Sequence, residues 1–131
     1  MARYQLPLDT LTSIHLSLEQ GDQHYLDTIS IIQRYFTDNK ANFDIIICGN
    51  DRIALLAYQV LLGLGYKIPQ QVAILGYDNM VGIGELFYPP LTTVQLPHYQ
   101  IGEQAALHII HRIKNKNVHK IDCPLLVRQS I

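Results

Sequence analysis

The stretch that decides the fold reads Phe43-Asp44-Ile45-Ile46-Ile47-Cys48-Gly49-Asn50-Asp51. Its apolar run is continuous rather than alternating, which is typical of a strand in a parallel sheet that is covered on both faces. The run ends at Gly49, Asn50 and Asp51, and a helical pattern follows over residues 52–62. A buried strand that leads directly into a helix is the repeating unit of an α/β protein.

The segments before this stretch continue the alternation of strands and helices. Residues 14–18 alternate between apolar and polar side chains, which predicts a strand, and Gly21-Asp22-Gln23 predicts a turn. Asp27 is expected to cap a helix over residues 28–36, because an aspartate side chain accepts hydrogen bonds from the first backbone N–H groups of a helix.

The segments after the stretch keep the same order. Gly63 and Gly65 are expected to end the helix over residues 52–62. A short helical or irregular stretch is predicted over residues 80–88, and a helix is predicted over residues 99–114. Further strands are predicted at residues 72–75, 91–96 and 125–127. The whole order predicts an α/β fold with a doubly wound, mainly parallel sheet and helices on both faces.

The composition fits one globular domain. The chain has 131 residues, of which 48% are hydrophobic and 16% are charged, so it has enough apolar side chains for a core and too few charges for a disordered chain. The formal net charge is −1. Tight binding to nucleic acid phosphates usually requires a basic excess, so the chain alone is not expected to bind DNA strongly.

The cysteines and the hydropathy of the chain indicate the cellular compartment of the protein. Cys48 and Cys123 are isolated and form no Cys-x-x-Cys pair, which favours reduced thiols in the cytoplasm over a disulfide scaffold. No apolar stretch is long enough for a membrane span, and residues 1–7 lack the apolar region of a signal peptide. We therefore expect a cytoplasmic protein that has no membrane contact.

Polar side chains follow three successive strands of the predicted sheet. Asp22 follows the first strand, Asn50 and Asp51 follow the second, and Asp78 and Asn79 follow the third. Ligands of such sheets bind beyond the carboxyl ends of the strands. Carboxylates accept hydrogen bonds from adjacent hydroxyls, and amides both donate and accept, so this set suits a polyhydroxyl ligand. The alternative is that these residues only cap helices.

The sequence offers little for catalysis. It has no glycine-rich nucleotide loop, no Gly-x-Ser-x-Gly motif and no set of nucleophile, histidine and carboxylate. Asp22 and Asp78 are the one conceivable catalytic pair, but a hydrogen-bonding wall is the simpler interpretation. His108 and His111 have the spacing of metal ligands but no evident third ligand. We expect no catalytic residues, no metal and no cofactor.

Four motifs carry a resemblance to a known family. From about residue 6 to residue 130 the sequence resembles the C-terminal part of LacI/GalR-type transcription regulators. The motifs are Phe43-Asp44-Ile45-Ile46-Ile47-Cys48-Gly49-Asn50-Asp51-Arg52-Ile53-Ala54-Leu55, Gly65-Tyr66-Lys67-Ile68-Pro69-Gln70-Gln71-Val72-Ala73-Ile74-Leu75-Gly76-Tyr77-Asp78-Asn79, Tyr88-Pro89-Pro90-Leu91-Thr92-Thr93-Val94 and Leu125-Leu126-Val127-Arg128-Gln129-Ser130.

The resemblance implies an architecture. Such regulators join a DNA-binding head to a two-lobed core that resembles periplasmic sugar-binding proteins, and the effector binds between the lobes. Residues 1–131 are then expected to be the C-terminal lobe of the effector-binding and dimerisation domain. The head and the N-terminal lobe are expected to be absent, so operator DNA would be bound only through the missing head.

The resemblance also implies site residues. Asn50 and Asp78 match the positions that contact the effector in sugar-responsive members, and Asn79 stands beside them. His98 stands where some relatives place an aromatic ring against the ligand, although a surface histidine is the alternative. Asp51 is expected to cap its helix. Sugars and sugar phosphates are the first effector class, and purines and nucleosides are the second.

A two-fold homodimer is expected from the helix that follows Asn50-Asp51. In the family this helix forms part of the dimer interface, and here it is apolar nearly all round. Phe87 resembles another interface position. The predicted interface residues are Ile53, Leu55, Leu56, Tyr58 and Phe87. The alternative is that Tyr58 and Phe87 are ordinary packing residues.

The helix over residues 99–114 has an apolar stripe that suits a core. In the family it packs on the N-terminal lobe, so here we expect it to lie on another surface, to exchange with a second chain or to be exposed. Two rival functions also remain. One is a lobe of a periplasmic sugar-binding protein, and the other is an enzyme on a doubly wound sheet. Residues 88–94 and the free cysteines favour the regulator.

Overall fold

A computed structural model describes residues 22–38, 43–113 and 118–131, with side chains described from Leu26 onward. Its elements in chain order are α1 (Asp22–Asp38), β1 (Ile45–Ile47), α2 (Asp51–Gly63), β2 (Ala73–Asp78), β3 (Thr92–Gln95), α3 (His98–Ile110) and β4 (Leu125–Leu126). The strand predicted at residues 14–18 lies outside the described residues.

The four described strands form one sheet in the order β1-β2-β3-β4. β1 pairs with β2 and β2 with β3 in parallel, whereas β4 pairs with β3 in the antiparallel direction. The prediction of a mainly parallel α/β sheet is therefore confirmed. Because β1, β2 and β3 run in the same direction, their carboxyl ends meet at one edge of the sheet, where α2 and α3 begin.

The core lies between the sheet and α2. Ala54, Ala57 and Leu61 lie on one face of α2 and are fully buried, as is Ile74 of β2. The two small alanine side chains allow the helix to approach the strand closely. α1 packs on α2, and the ring of Phe36 meets Tyr66 edge to face at 5.2 Å between centroids. Burial of each large apolar side chain contributes about 1.5–3 kcal/mol.

The opposite face of the sheet is open, and this corrects a prediction. Ile45 and Ile47 are 41% and 69% exposed, whereas Cys48, which points to the α2 side, is buried. Tyr77, Leu125 and Val127 are also exposed. The expectation that residues 43–48 are covered on both faces is wrong for β1, because within the described residues α2, and α1 packed on it, lie on one side of the strand.

The start of α1 differs from the sequence prediction. α1 begins at Asp22 rather than at residue 28, so Asp27 lies inside the helix and not at its cap, and Asp22 and Gln23 are helical rather than part of a turn. Residues 22–27 contain no glycine or proline, so nothing in them prevents the helix from extending back to Asp22. The end of α2 at Gly63 agrees with the prediction, whereas β2 continues to Asp78, three residues beyond the predicted strand at residues 72–75.

α3 has no buried residue. Ile109 and Ile110 are 78% and 70% exposed, and Tyr99 and Ile101 also face solvent. Of the outcomes that we weighed for this helix, the structure has the exposed one. None of the helices in the described part of the chain is long and apolar enough to cross a lipid bilayer.

The predicted interface residues divide into two groups. Tyr58 and Phe87 are only 3% and 6% exposed and pack edge to face at 4.8 Å between ring centroids, and Leu56 is also buried. The Tyr58 hydroxyl donates to the Pro89 carbonyl at 2.9 Å. For these three residues, which the chain's own core covers, the interface prediction stays untested, and burial favours the alternative of ordinary packing for Tyr58 and Phe87. For Ile53, which is half-buried, and Leu55, which is exposed, it stays a prediction.

Candidate functional site

A buried carboxylate stands at the carboxyl ends of the parallel strands. Asp51 is the first residue of α2 and is fully buried. Its Oδ1 accepts a hydrogen bond from the Thr93 hydroxyl at 2.7 Å, and its Oδ2 accepts one from the Met80 backbone N–H at 2.9 Å. The carboxylate therefore joins α2 to β3 and to the turn that follows β2.

The space for this carboxylate exists because residue 76 is a glycine. A β-carbon at Gly76 would overlap the Asp51 Oδ1 atom and would come within 2.8 Å of the Leu91 side chain. Gly76 pairs with Thr93 across β2 and β3. The strand pairing thus places the Thr93 hydroxyl and the glycine on the same side, opposite Asp51.

Asn50, and not Asp51, caps α2. The Asn50 backbone is extended, and its Oδ1 accepts a hydrogen bond from the Ile53 N–H at 2.9 Å. The prediction that Asp51 caps α2 is therefore wrong, although Asp51 does have a structural role through its contacts with Thr93 and Met80. Because the Asn50 oxygen is engaged, its NH₂ group is the part of the side chain that can donate to a ligand.

Asp78 and Asn79 follow in a turn with an unusual backbone. Their φ angles are 97° and 48°, a region that side chains other than glycine seldom adopt. Asp78 Oδ1 is buried and has no hydrogen-bond partner among the described residues. A buried acceptor without a donor is costly, so this atom is suited to receive a hydrogen bond from a ligand.

The charge environment of Asp78 is unfavourable to its ionised form. Burial raises the pKa of the Asp78 carboxyl above its ordinary value, and the negative charge of Asp51 and a side-chain hydrogen bond with Asp51 raise it further. A hydrogen bond from the Met80 backbone lowers it. His98 also lowers the pKa of Asp78. His98 is exposed at the start of α3, and its contact with an effector stays a prediction.

Arg128 holds the other side of the turn. Its guanidinium donates to the Asn79 Oδ1 atom at 3.2 Å and to the Leu91 carbonyl at 2.7 Å, and it forms an ion pair with Glu85 at 3.4 Å. The Asn79 oxygen is thus engaged within the protein. We therefore expect Asn79 to contribute to the site mainly through the shape of the turn.

An open groove borders this site. It has a volume of about 530 Å³ and lies between the end of β3, the start of α3 and the segment before β4. Gln95, one of its lining residues, pairs with Asp78 across β2 and β3. The lining residues are Gln95, Pro97, Gln100, Lys120, Ile121, Asp122 and Pro124.

The structure gathers most of the predicted site residues at one edge of the sheet. Asn50, Asp78, Asn79 and His98 all lie at or beside the carboxyl ends of β1, β2 and β3. Asp22 begins α1, and its side chain lies outside the described part. Sequence reasoning missed the roles of Thr93 and Arg128. Both stand in the quoted motifs, but only their contacts with Asp51 and Asn79 reveal what they do.

Most of the chain matches a known protein family. Residues 12–129 match the family described as periplasmic binding proteins and the sugar binding domain of the LacI family. The chain belongs to this family. The resemblance inferred from the four motifs and the α/β fold of periplasmic binding proteins are thereby confirmed.

Individual LacI-family relatives refine the comparison. The chain is 56% identical over 110 residues to the sucrose operon repressor of Escherichia coli. The aligned part covers 84% of this chain and 33% of the repressor. The chain thus spans about a third of the length of this curated relative. The relatives are described as transcriptional repressors rather than as enzymes.

Two solved structures share the fold. A protein from Actinobacillus succinogenes is 31% identical, with a TM-score of 0.69 over 81% of this chain and 40% of that chain. The transcriptional regulator CelR, solved in complex with cellobiose, is 26% identical, with a TM-score of 0.66 over 81% of this chain and 33% of that chain.

Proposed function

We propose that this LacI-family chain is the C-terminal lobe of the effector-binding domain of a transcription regulator, and that its effector is a neutral sugar. Sucrose and its two component monosaccharides are the first candidates. The 56% identity to a sucrose operon repressor supports this, as does the complex of CelR with cellobiose.

The observation that carries the proposal is the unpaired oxygen of Asp78. Asp78 Oδ1 is buried at the carboxyl end of β2 and lacks a donor among the described residues. A sugar hydroxyl that donates to it would remove the cost of an unsatisfied buried acceptor, which is about 1–3 kcal/mol. The Asn50 NH₂ group and His98 supply further polar contacts on either side.

The charges favour a sugar over a sugar phosphate. Asp51 and Asp78 place two carboxylates at the site, and they would repel a phosphate group. The guanidinium of Arg128 is already engaged, because it donates to Leu91, Asn79 and Glu85. A neutral hydroxyl-bearing ligand meets no such repulsion and can donate to the carboxylates.

The proposal extends to the assembly. The repressor relatives are about three times as long as the matched part, and operator binding would belong to segments outside this chain. The exposed apolar side chains Leu55 and Leu62 of α2 are proposed to contribute to a homodimer. The protein would act in the cytoplasm by binding its effector without chemical turnover.

Saturation-transfer NMR with sucrose, fructose, glucose and fructose 6-phosphate tests this proposal, because it detects weak ligands. We expect neutral sugars to bind with dissociation constants on the order of millimolar, since one lobe supplies only part of the contacts. Asp78→Asn should weaken binding about tenfold, whereas Asp44→Asn at an exposed position should not change it. Binding of the phosphate alone, or turnover of any of the sugars, would contradict the proposal.

A further inference from the structure

We propose that Asp51 is a positioning residue for the effector site, because its buried carboxylate holds the turn at residues 78–80 in the shape that presents Asp78 to a ligand. The inference rests on the proposed function in one respect only, namely that Asp78 contacts the effector. Asp51 itself is fully buried and is not expected to touch the ligand.

The turn needs such support. Asp78 and Asn79 both have positive φ angles, and each such residue costs about 1–3 kcal/mol unless its surroundings stabilise the conformation. The bond from the Met80 N–H to Asp51 Oδ2 follows these two residues directly. It fixes the end of the turn to the first residue of α2.

Asp51 is itself held firmly. Its other oxygen accepts the Thr93 hydroxyl from β3 at 2.7 Å, and its backbone belongs to the first turn of α2, whose cap is Asn50. The Asn79 N–H also reaches the Thr93 hydroxyl, at 3.4 Å. The Asp51 carboxylate therefore connects α2, β3 and the turn after β2. A movement of the turn would also displace α2 and β3.

Asp51 also acts on Asp78 through its charge. The groups that face Asp78 are Asp51 from α2 and His98 from α3, while Arg128 reaches the turn through Asn79. Burial is the largest cause that raises the pKa of Asp78, followed by the charge of Asp51 and a side-chain hydrogen bond with Asp51. The Met80 backbone and His98 lower it. A residue that only filled space at position 51 would not influence the proton affinity of Asp78.

The test is an NMR titration of the Asp78 side-chain carboxyl in the wild type and in Asp51→Asn and Thr93→Val. The asparagine keeps the size of the side chain and removes its charge, so the pKa of Asp78 should fall. Thr93→Val removes the two hydrogen bonds that the Thr93 hydroxyl makes with Asp51 and with the Asn79 N–H, but it keeps the charge of Asp51, so the pKa of Asp78 should stay raised. An unchanged titration of Asp78 in Asp51→Asn would overturn the inference.

A measurement on the wild type covers the case in which Asp51→Asn does not fold. The Met80 amide should exchange with solvent more slowly than that of the exposed Val81, because it is bound to a buried carboxylate. Equal exchange at the two positions would overturn the inference.

Sugar binding separates this inference from the proposed function. If the wild type binds a neutral sugar, Asp51→Asn should weaken binding about tenfold, and unchanged affinity would overturn the positioning role. If no sugar binds, the proposed function fails, but the Asp78 titration and the Met80 exchange still decide whether Asp51 shapes the turn.

Discussion

Asp78 is the residue at which stability and function oppose each other. Its Oδ1 atom is buried without a partner and its backbone has a positive φ angle. Both features destabilise the folded chain. The hydrogen bond from the Met80 N–H to Asp51 supports the turn, but no described group donates to Asp78 Oδ1. A binding site that keeps an unsatisfied acceptor in place is prepared for a donor from outside.

Asp78→Asn should therefore stabilise the chain at neutral pH. Because the pKa of Asp78 is raised in the folded state, the ionised carboxylate disfavours folding at pH values above that pKa, and protonation relieves the penalty as the pH falls toward the unfolded value of about 3.9. We expect a gain of about 1 kcal/mol at pH 7, or about 4 °C in Tm, that shrinks on acidification.

Thermal unfolding followed by circular dichroism at several pH values measures this gain. Asp44→Asn is the matched control, because Asp44 is exposed and should change stability by less than about 0.5 kcal/mol. A loss of stability in Asp78→Asn at pH 7 would show that the carboxylate has a partner in the folded chain.

Among the elements, β2 depends most on a residue that has no side chain, namely Gly76. Gly76 lies in the middle of the strand, where glycine is usually unfavourable, yet the position leaves room for the Asp51 carboxylate and the Leu91 side chain. The close approach of α2 to the carboxyl end of the sheet follows from this small residue. Both the candidate site and the packing of α2 on the sheet therefore require a glycine at position 76.

Gly76→Ala should destabilise the chain by about 2–3 kcal/mol, because the added methyl group meets a buried carboxylate and a buried leucine that have no room to move. Gly63→Ala is the control. A β-carbon there meets nothing within 4 Å, and alanine favours a helix over glycine by up to about 1 kcal/mol. Urea unfolding compares the two variants, and equal stability for both would refute the packing argument.

At the scale of the whole molecule, two apolar surfaces are uncovered in the described structure. One is the face of the sheet that carries Ile45 and Ile47, and the other is α3, which has no buried residue. Exposed apolar side chains in such numbers favour association. The relatives are about three times as long as the matched part, so in a longer protein further segments would be available to cover them.

Light scattering of this chain over a range of concentrations is the corresponding measurement. We expect self-association, since burial of each exposed isoleucine contributes about 1.5–3 kcal/mol. Ile110→Lys should shift the equilibrium toward monomers, whereas Gln104→Lys, at an exposed polar position of the same helix, should not. A monomer at every concentration would refute association through either surface.

The sequence by itself determined the order and type of the elements and the edge of the sheet where polar residues gather. Continuous apolar runs such as residues 43–48 identify parallel strands, and Gly63 marks the end of α2, because period and stop signals are local properties. The position of the candidate site followed directly, since parallel strands bring their carboxyl ends together.

Only the tertiary structure decided what individual side chains do there. Asp51 meets partners that are 29 and 42 positions away along the chain, so no local pattern distinguishes its role from the capping role of Asn50. For the same reason, no local pattern showed that Tyr58 and Phe87 are core residues or that Ile47 is exposed. Which face of an apolar element is covered depends on segments that are distant in sequence, and local periodicity does not record their placement.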